Sequence, residues 1–110
     1  MAYITITPAP ALLSIRAGET YLGETRRALS LAEGSAQPVL YVPREDLAMH
    51  LLVKSDRNTT CPHKGLCSYY SVQTANGLLE NAVWSYEHPI GEAAAIAGYL
   101  AFYPDKVSLT

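Results

Sequence analysis

The sequence predicts a single mainly β (α+β) domain, in which antiparallel strands form a closed or nearly closed, barrel-like sheet with two short helices. Short runs of alternating apolar and polar residues separated by turn residues favour strands over long helices. An Asn-Gly pair between two β-rich runs indicates a hairpin. With 110 residues, the chain is long enough for one hydrophobic core and too short for two, so residues 1–110 are assigned to one domain.

The N-terminal third is expected to contribute a loose or edge segment followed by three strands. Threonines and prolines in residues 1–10 disfavour a central strand. Residues 13–16 alternate as a half-buried strand does, and a turn follows at 17–19. Residues 25–32 and 39–42 are predicted to pair antiparallel across a Gly- and Pro-containing loop.

Two proline-led segments predict the two helices. Pro43 precedes two acidic residues, a typical helix start, so a helix is expected over 44–51. A second is expected over Pro89–Ala97, with Gly98 placed to cap its end. Between them, residues 53–58 look like a polar connection into a loop at 59–67.

Asn76-Gly77 predicts a two-residue type I′ turn between strands at 68–74 and 78–86. The resulting register places Tyr69 opposite Trp84 and Gln73 opposite Glu80. One face of this hairpin would then carry Cys67, Tyr69, Trp84, Tyr86 and Glu80, and the other Tyr70, Val72, Leu79 and Val83. Alternation at residues 99–103 and 107–109 predicts two closing strands.

Composition and charge exclude several classes of partner. The formal net charge is −2, and the largest basic cluster is Arg26-Arg27, so no nucleic-acid partner is expected. The N-terminus lacks the basic lead and apolar run of a signal peptide, and residues 93–103 are about half a membrane span. We therefore expect a cytoplasmic protein, with no membrane contact and with reduced cysteines.

Four separated runs resemble one bacterial family, catalogued as domain of unknown function DUF-427. They occur in the same order as in that family, and the similarity extends from near Gly23 to Val107. The runs are Leu40-Tyr41-Val42-Pro43-Arg44-Glu45-Asp46, Thr59-Thr60-Cys61-Pro62-His63-Lys64-Gly65, Glu80-Asn81-Ala82-Val83-Trp84-Ser85-Tyr86, and Ile96-Ala97-Gly98-Tyr99 through Ala101-Phe102-Tyr103-Pro104-Asp105.

The resemblance implies a β-tent fold and carries a nucleotidyltransferase-like label, which is an analogy to be tested rather than an activity. Many relatives in the β-tent group hold zinc with two Cys-x-x-Cys knuckles. This chain has neither knuckle, so the resemblance brings no zinc, and no other cofactor is expected.

The 59–67 loop offers several chemistries that the sequence leaves open. Cys61, His63 and Cys67 are three zinc-ligand types, but a structural site needs a fourth. Cys61 with His63 is a generic nucleophile–base pairing, with Lys64 able to lower a thiol pKa. A Cys61–Cys67 disulfide is disfavoured in a reducing compartment, except as a redox event.

Basic and aromatic residues suggest two further kinds of site. Arg44, Lys54, Arg57 and Lys64 would bind an anion if the fold brings them together, and otherwise are solvated surface charges. The Tyr69, Trp84 and Tyr86 face would form a wall for a planar ligand, or simply the core of the sheet.

The function expected from these observations is a domain that binds a small molecule, with a nucleotide-like compound as one candidate, in a mixed aromatic and charged pocket. The pocket would lie between the 59–67 loop, the start of the 44–51 helix and the 80–86 strand. The alternatives are a nucleotidyltransferase-like enzyme using the same pocket and a protein-interaction module; ligand identity and homo-oligomer formation are left open. The candidate binding residues are Arg44, Cys61, His63, Lys64, Tyr69, Glu80, Trp84 and Tyr86.

Overall fold

A computed structural model describes residues 3–110 as a mainly β protein. No helix in this part of the chain is long and apolar enough to cross a membrane. Its strands are β1 (Ile4–Ala9), β2 (Leu13–Ala17), β3 (Thr20–Thr25), β4 (Ala28–Glu33), β5 (Val39–Tyr41), β6 (Leu52–Cys61), β7 (Gly65–Thr74), β8 (Gly77–Ser85), β9 (Leu100–Phe102) and β10 (Ser108–Leu109).

The strands form three antiparallel sheets, which we call sheet I (β1-β4-β5), sheet II (β10-β2-β3) and sheet III (β6-β7-β8-β9). The mainly β, antiparallel prediction is confirmed, including the β4–β5 pairing, whereas β3 and its pairing with β2 were not predicted. The sheets do not close into a barrel within residues 3–110, contrary to the barrel-like expectation.

Sheet III carries an apolar cluster on each face, because successive side chains of a strand point to opposite sides. Tyr70, Val72 and Val83 pack with sheet II residues such as Ile15 and Leu22. The other face packs against sheet I through a second cluster, which contains Ile4, Leu31, Tyr41, Cys67, Tyr69 and Tyr86. The two predicted hairpin faces are therefore observed, apart from Glu80, which is exposed.

Of the two expectations for residues 1–10, a loose or an edge segment, the structure shows the edge segment over the part that it describes; residues 1 and 2 lie outside that part. Ile4–Ala9 is an ordered strand at the edge of sheet I, paired with β4 along its whole length. Its Ile4 side chain is buried, and the Ile4 amide donates to a Glu92 carboxylate oxygen at 3.3 Å. An edge position tolerates Pro8, which has no amide to donate.

The helix expected over 44–51 is replaced by two short 3-10 helices, Arg44–Asp46 and Met49–Leu51. Leu47 interrupts them because its extended backbone forms a bridge to Gly23. The second expected helix is also a 3-10 helix, Gly91–Ile96, and Gly98 follows it with φ of 75°.

The 53–58 connection and much of the 59–67 loop belong to regular strands instead. β6 runs to Cys61, a turn covers residues 62–64, and β7 begins at Gly65. The exposed, polar side chains of β6 explain the error, because an edge strand with little burial lacks a clear alternating pattern.

The register of the β7–β8 hairpin is wrong near the turn and right beyond it. Thr74 faces Gly77, so Gln73 faces Leu78 and not Glu80. The Thr74 hydroxyl accepts from the Asn76 amide at 3.2 Å and donates to the Gly77 carbonyl at 2.7 Å, which fixes this turn. A bulge in β8 then restores the predicted pairing of Tyr69 with Trp84.

Candidate functional site

The Cys-Pro-His-Lys-Gly run forms the tight turn between β6 and β7. The Lys64 amide donates to the Cys61 carbonyl at 3.3 Å, and Gly65 has φ of 101°, which favours glycine. The Ile90 amide donates to the Lys64 carbonyl at 3.0 Å. The turn is therefore anchored to the segment that precedes the last 3-10 helix.

Lys64 is the most enclosed of the predicted basic residues, with 11% of its side chain exposed. Its ammonium pairs with the Glu33 carboxylate at the end of β4 and lies 5.4 Å from the centre of the Tyr86 ring. Burial raises the pKa of Tyr86, so its hydroxyl is neutral beside this ammonium. Lys64 is thus already neutralised by a carboxylate.

The two cysteines are free thiols on the same face of sheet III. Thr59 faces Cys67 and Cys61 faces Gly65, which places Cys61 diagonally across from Cys67. Burial raises the pKa of Cys67 and so opposes formation of its thiolate. The exposed His63 ring lies against Tyr3, with ring centres 4.5 Å apart.

The aromatic residues of sheet III are fixed by polar contacts at their rims. The Tyr69 hydroxyl shares a 2.9 Å hydrogen bond with the Thr59 hydroxyl. The Trp84 indole donates to the Tyr41 hydroxyl at 3.3 Å, and its ring lies 4.7 Å from that of Tyr103. Burial raises the pKa of Tyr41 to about 12, which keeps this acceptor protonated at neutral pH.

Arg44 belongs to a separate polar cluster centred on Glu87. Its Nε donates to the Gly98 carbonyl at 2.8 Å and its Nη2 to Glu87 at 3.2 Å. Glu87 also accepts from the Tyr70 hydroxyl at 2.7 Å and from Lys54 at 3.1 Å. The Tyr70 hydrogen bond, followed by the contacts of Lys54, lowers the pKa of Glu87 to about 2.

Glu80 lies apart from both of these clusters. It sits in the β8 bulge with its side chain exposed. The carboxylates that pair with Lys64 and Arg44 are Glu33 and Glu87, which sequence reasoning missed. No local pattern marks either acid, since each meets its cation only through the tertiary fold.

The structure therefore brings together only part of the predicted set. Cys61, Tyr69, Trp84 and Tyr86 pack in or against one apolar cluster. The Lys64 ammonium reaches the Tyr86 ring of that cluster. His63, Arg44 and Glu80 lie in three other surroundings: the Tyr3 stack, the Glu87 cluster and the β8 bulge.

An open cleft of about 520 Å³ lies where residues of all three sheets meet. Trp84 is the one predicted site residue in its lining. We call it the Trp84 cleft; it is lined by Gln37, Pro38, Val39, Leu40, Trp84, Phe102, Pro104, Val107, Ser108, Leu109 and Thr110. These side chains are mostly apolar and none carries a charge, as is common for sites that bind small organic molecules.

Metal-ligating residues are not clustered in the described chain. Within residues 3–110, no three side chains of His, Cys, Asp or Glu lie close enough together to hold a metal ion. Asp46, adjacent to Glu45, accepts instead from the Thr25 hydroxyl at 2.7 Å and from the Arg27 guanidinium at 2.7 Å.

The fold and the cleft define an antiparallel β domain with an apolar surface cleft between its sheets. A comparison with protein-family models matches residues 5–110 to the domain of unknown function DUF427. The match covers nearly the whole chain, so the protein belongs to the DUF427 family, as the four sequence motifs predicted. No curated protein matches the chain.

Proposed function

We propose that this domain binds a small molecule with a planar, uncharged ring in the Trp84 cleft. The observation that carries the proposal is a cleft of about 520 Å³ with an indole in its lining. Ligand-binding pockets commonly have volumes of about 300–1,000 Å³ and a mainly apolar lining. An aromatic wall favours flat ligands, because stacked rings add to the stabilisation from area burial alone.

The proposal moves the ligand away from the mixed aromatic and charged pocket that the sequence suggested. Lys64 and Arg44 are engaged by Glu33 and Glu87, and neither cation lines the cleft. A nucleobase or nucleoside therefore suits this lining better than a phosphorylated nucleotide, whose phosphates would find no cationic side chain there.

The single tryptophan of the chain provides a direct measurement. Adenine, uracil, adenosine and AMP are titrated into the full chain while Trp84 emission and the melting temperature are followed. We expect quenching and stabilisation by at least one base or nucleoside, with AMP no tighter than adenosine. The proposal is contradicted if none of the four compounds changes the Trp84 emission or the melting temperature. It is also contradicted if only AMP, which carries a phosphate, binds.

A matched pair of variants tests the location. Ser108→Phe places a bulky ring at the cleft lining, whereas Thr60→Phe adds the same ring to the exposed face of β6. We expect binding to be weakened about tenfold or more in Ser108→Phe only. Equal affinities in the two variants would place the ligand elsewhere.

The nucleotidyltransferase alternative makes a different prediction. It requires Mg²⁺-dependent transfer that is lost in Glu80→Gln or Asp46→Asn without loss of folding. The interaction-module alternative requires a protein partner. It also predicts that neither the bases and nucleosides nor AMP will bind. No contact described above favours these alternatives over the cleft.

A further inference from the structure

A polar groove lies over the bulged parts of β6 and β8. Two pockets, of about 380 and 360 Å³, share Arg57, Glu80 and Asn81 in their linings and so adjoin one another. We call the combined feature the bulge groove. It has no lining residue in common with the Trp84 cleft.

The groove exists because β7 is flanked by a bulge on each side. In β6, residues 55–57 stand opposite Tyr69 alone, and in β8, residues 80–82 stand opposite Ser71 alone. The extra residues leave the regular ladders and redirect their side chains, which is why bulges often occur beside functional sites. Asn81 has φ of 50°, a left-handed conformation that few residues other than glycine and asparagine adopt.

Asn81 also carries the one unusual polar atom of this region. Its Oδ1 is buried and has no hydrogen-bond partner among residues 3–110. Its backbone amide donates to the Ser71 hydroxyl at 3.1 Å, so the residue is held in place. A buried acceptor without a partner is destabilising, and a ligand that donates a hydrogen bond to it would offset that cost.

Charged side chains of both signs line the groove together with Asn81. The Arg57 guanidinium rests 4.7 Å from the centre of the Tyr69 ring and forms no ion pair within the described chain. The Glu80 carboxylate is exposed and is likewise outside the ion pairs of residues 3–110. The groove is also lined by Lys54, Asp56, Asp105 and Lys106, so it holds three acids and three bases in all.

We propose that the bulge groove binds a free α-amino acid. A rotation of the Asn81 side chain turns its shielded Oδ1 toward the ligand's ammonium, which also pairs with Glu80, while the ligand's carboxylate accepts from the Arg57 guanidinium. A simple anion would be repelled by Glu80 and a simple cation by Arg57, whereas a zwitterion is attracted by both. An ammonium group also supplies the donor that Asn81 lacks.

The test uses amide NMR spectra of the full chain with millimolar pools of the free L-α-amino acids. Ethylamine and sodium propionate serve as probes with the ammonium alone and the carboxylate alone. We expect at least one amino acid to shift the Ser71 and Asn81 amides in a saturable manner, with neither single-charge probe doing so at equal concentration.

Two variants and one control locate the site. Asn81→Gly removes the carboxamide while suiting the positive φ, and Arg57→Gln removes the cation. We expect each to weaken binding about tenfold, the loss typical of one charge-assisted hydrogen bond. Arg26→Gln, an exposed charge change outside the groove, should leave the affinity unchanged.

Four results of these titrations would overturn the proposal, and a fifth would come from a separate titration with Ca²⁺. They are the absence of shifts with every pool, an equal response to ethylamine alone, wild-type affinity in both groove variants, and shifts confined to the Trp84 indole. A response of Asn81 to Ca²⁺ but to no amino acid would identify a cation site and would also overturn it.

Discussion

Gly23 shows how closely single residues are constrained at the point where sheet II meets the 44–51 segment. A Cβ at this position would lie 2.1 Å from the Asp46 carbonyl oxygen, and the residue has φ of 145°. We expect Gly23→Ala to lower the free energy of unfolding by about 3 kcal/mol, because overpacking adds to backbone strain.

Urea denaturation measures this loss, and Gly18→Ala is the control. Gly18 also has a positive φ, of 62°, but no atom lies within 4 Å of the added carbon. Its substitution should cost about 1 kcal/mol from strain alone. Equal losses of unfolding free energy in the two variants would show that the close contact with Asp46 does not add to the cost of Gly23→Ala.

Glu87 makes stability depend on acid pH. Its folded pKa of about 2 lies below the ordinary value of 4.5, so the unfolded chain binds the proton more readily. The stabilisation is present above about pH 4.5 and is lost as the pH falls toward 2. Glu87→Gln should lower stability at pH 7 by about 2 kcal/mol and flatten this part of the pH profile.

Thermal melts from pH 2 to 7 test the Glu87 prediction. Glu24→Gln, an exposed change in β3, is the matched control and should retain the wild-type profile. If the melting temperature of Glu87→Gln falls as steeply with acid as that of the wild type, Glu87 is not the cause of the acid dependence.

The ion pairs of the two candidate basic residues explain why the predicted site was only partly brought together by the fold. Arg44 meets Glu87 across 43 positions and Lys64 meets Glu33 across 31. The sequence identifies basic residues that are able to bind an anion, but an acid so far along the chain leaves no local pattern. The pairing of Trp84 with Tyr69 was predicted correctly because both residues belong to one local hairpin.

At the level of elements, side-chain alternation was a better guide than turn chemistry. Alternation assigned Tyr69 and Tyr70 to opposite faces of sheet III correctly. Asn76-Gly77 predicted the place of the turn to within one residue, because the Thr74 hydroxyl bonds stabilise a turn over residues 75 and 76 instead. The bulge at Asn81 then compensates for the shift in register. The helix over 44–51 was wrong because Leu47 bridges Gly23, a tertiary contact.

Protection from hydrogen exchange should differ sharply between strands. β7 has a partner on each side and is buried from Cys67 to Val72, whereas β1 and β10 lie at sheet edges. We expect the central amides of β7 to exchange slowest, near the rate of global unfolding, and those of β10 fastest. Exchange mass spectrometry resolves these segments, and comparable rates for β7 and β10 would contradict this order.

For the whole molecule, the Lys64–Glu33 pair joins the turn of sheet III to the end of a sheet I strand. Removing one partner leaves a poorly solvated charge, so Lys64→Ala should lower the free energy of unfolding by about 2 kcal/mol. The double variant Lys64→Met with Glu33→Leu should recover most of that loss, since two apolar side chains can pack in its place.

A double-mutant cycle in urea measures the coupling. The exposed Arg27–Asp46 pair is the comparison, because 60% of the Arg27 side chain is exposed. Arg27→Met should therefore change stability far less than Lys64→Ala does. A coupling energy between Lys64 and Glu33 no larger than the effect of Arg27→Met would show that this ion pair contributes little to stability.

The Trp84 cleft takes its walls from distant stretches of the polypeptide, between Gln37 and the final strand. Those walls meet only after all three sheets have assembled, so a half-formed chain has no such cleft. A molecule held there is bound by the native form and not by its precursors, and its presence shifts the folding equilibrium by mass action. Occupancy of the cleft would thus report that folding is complete.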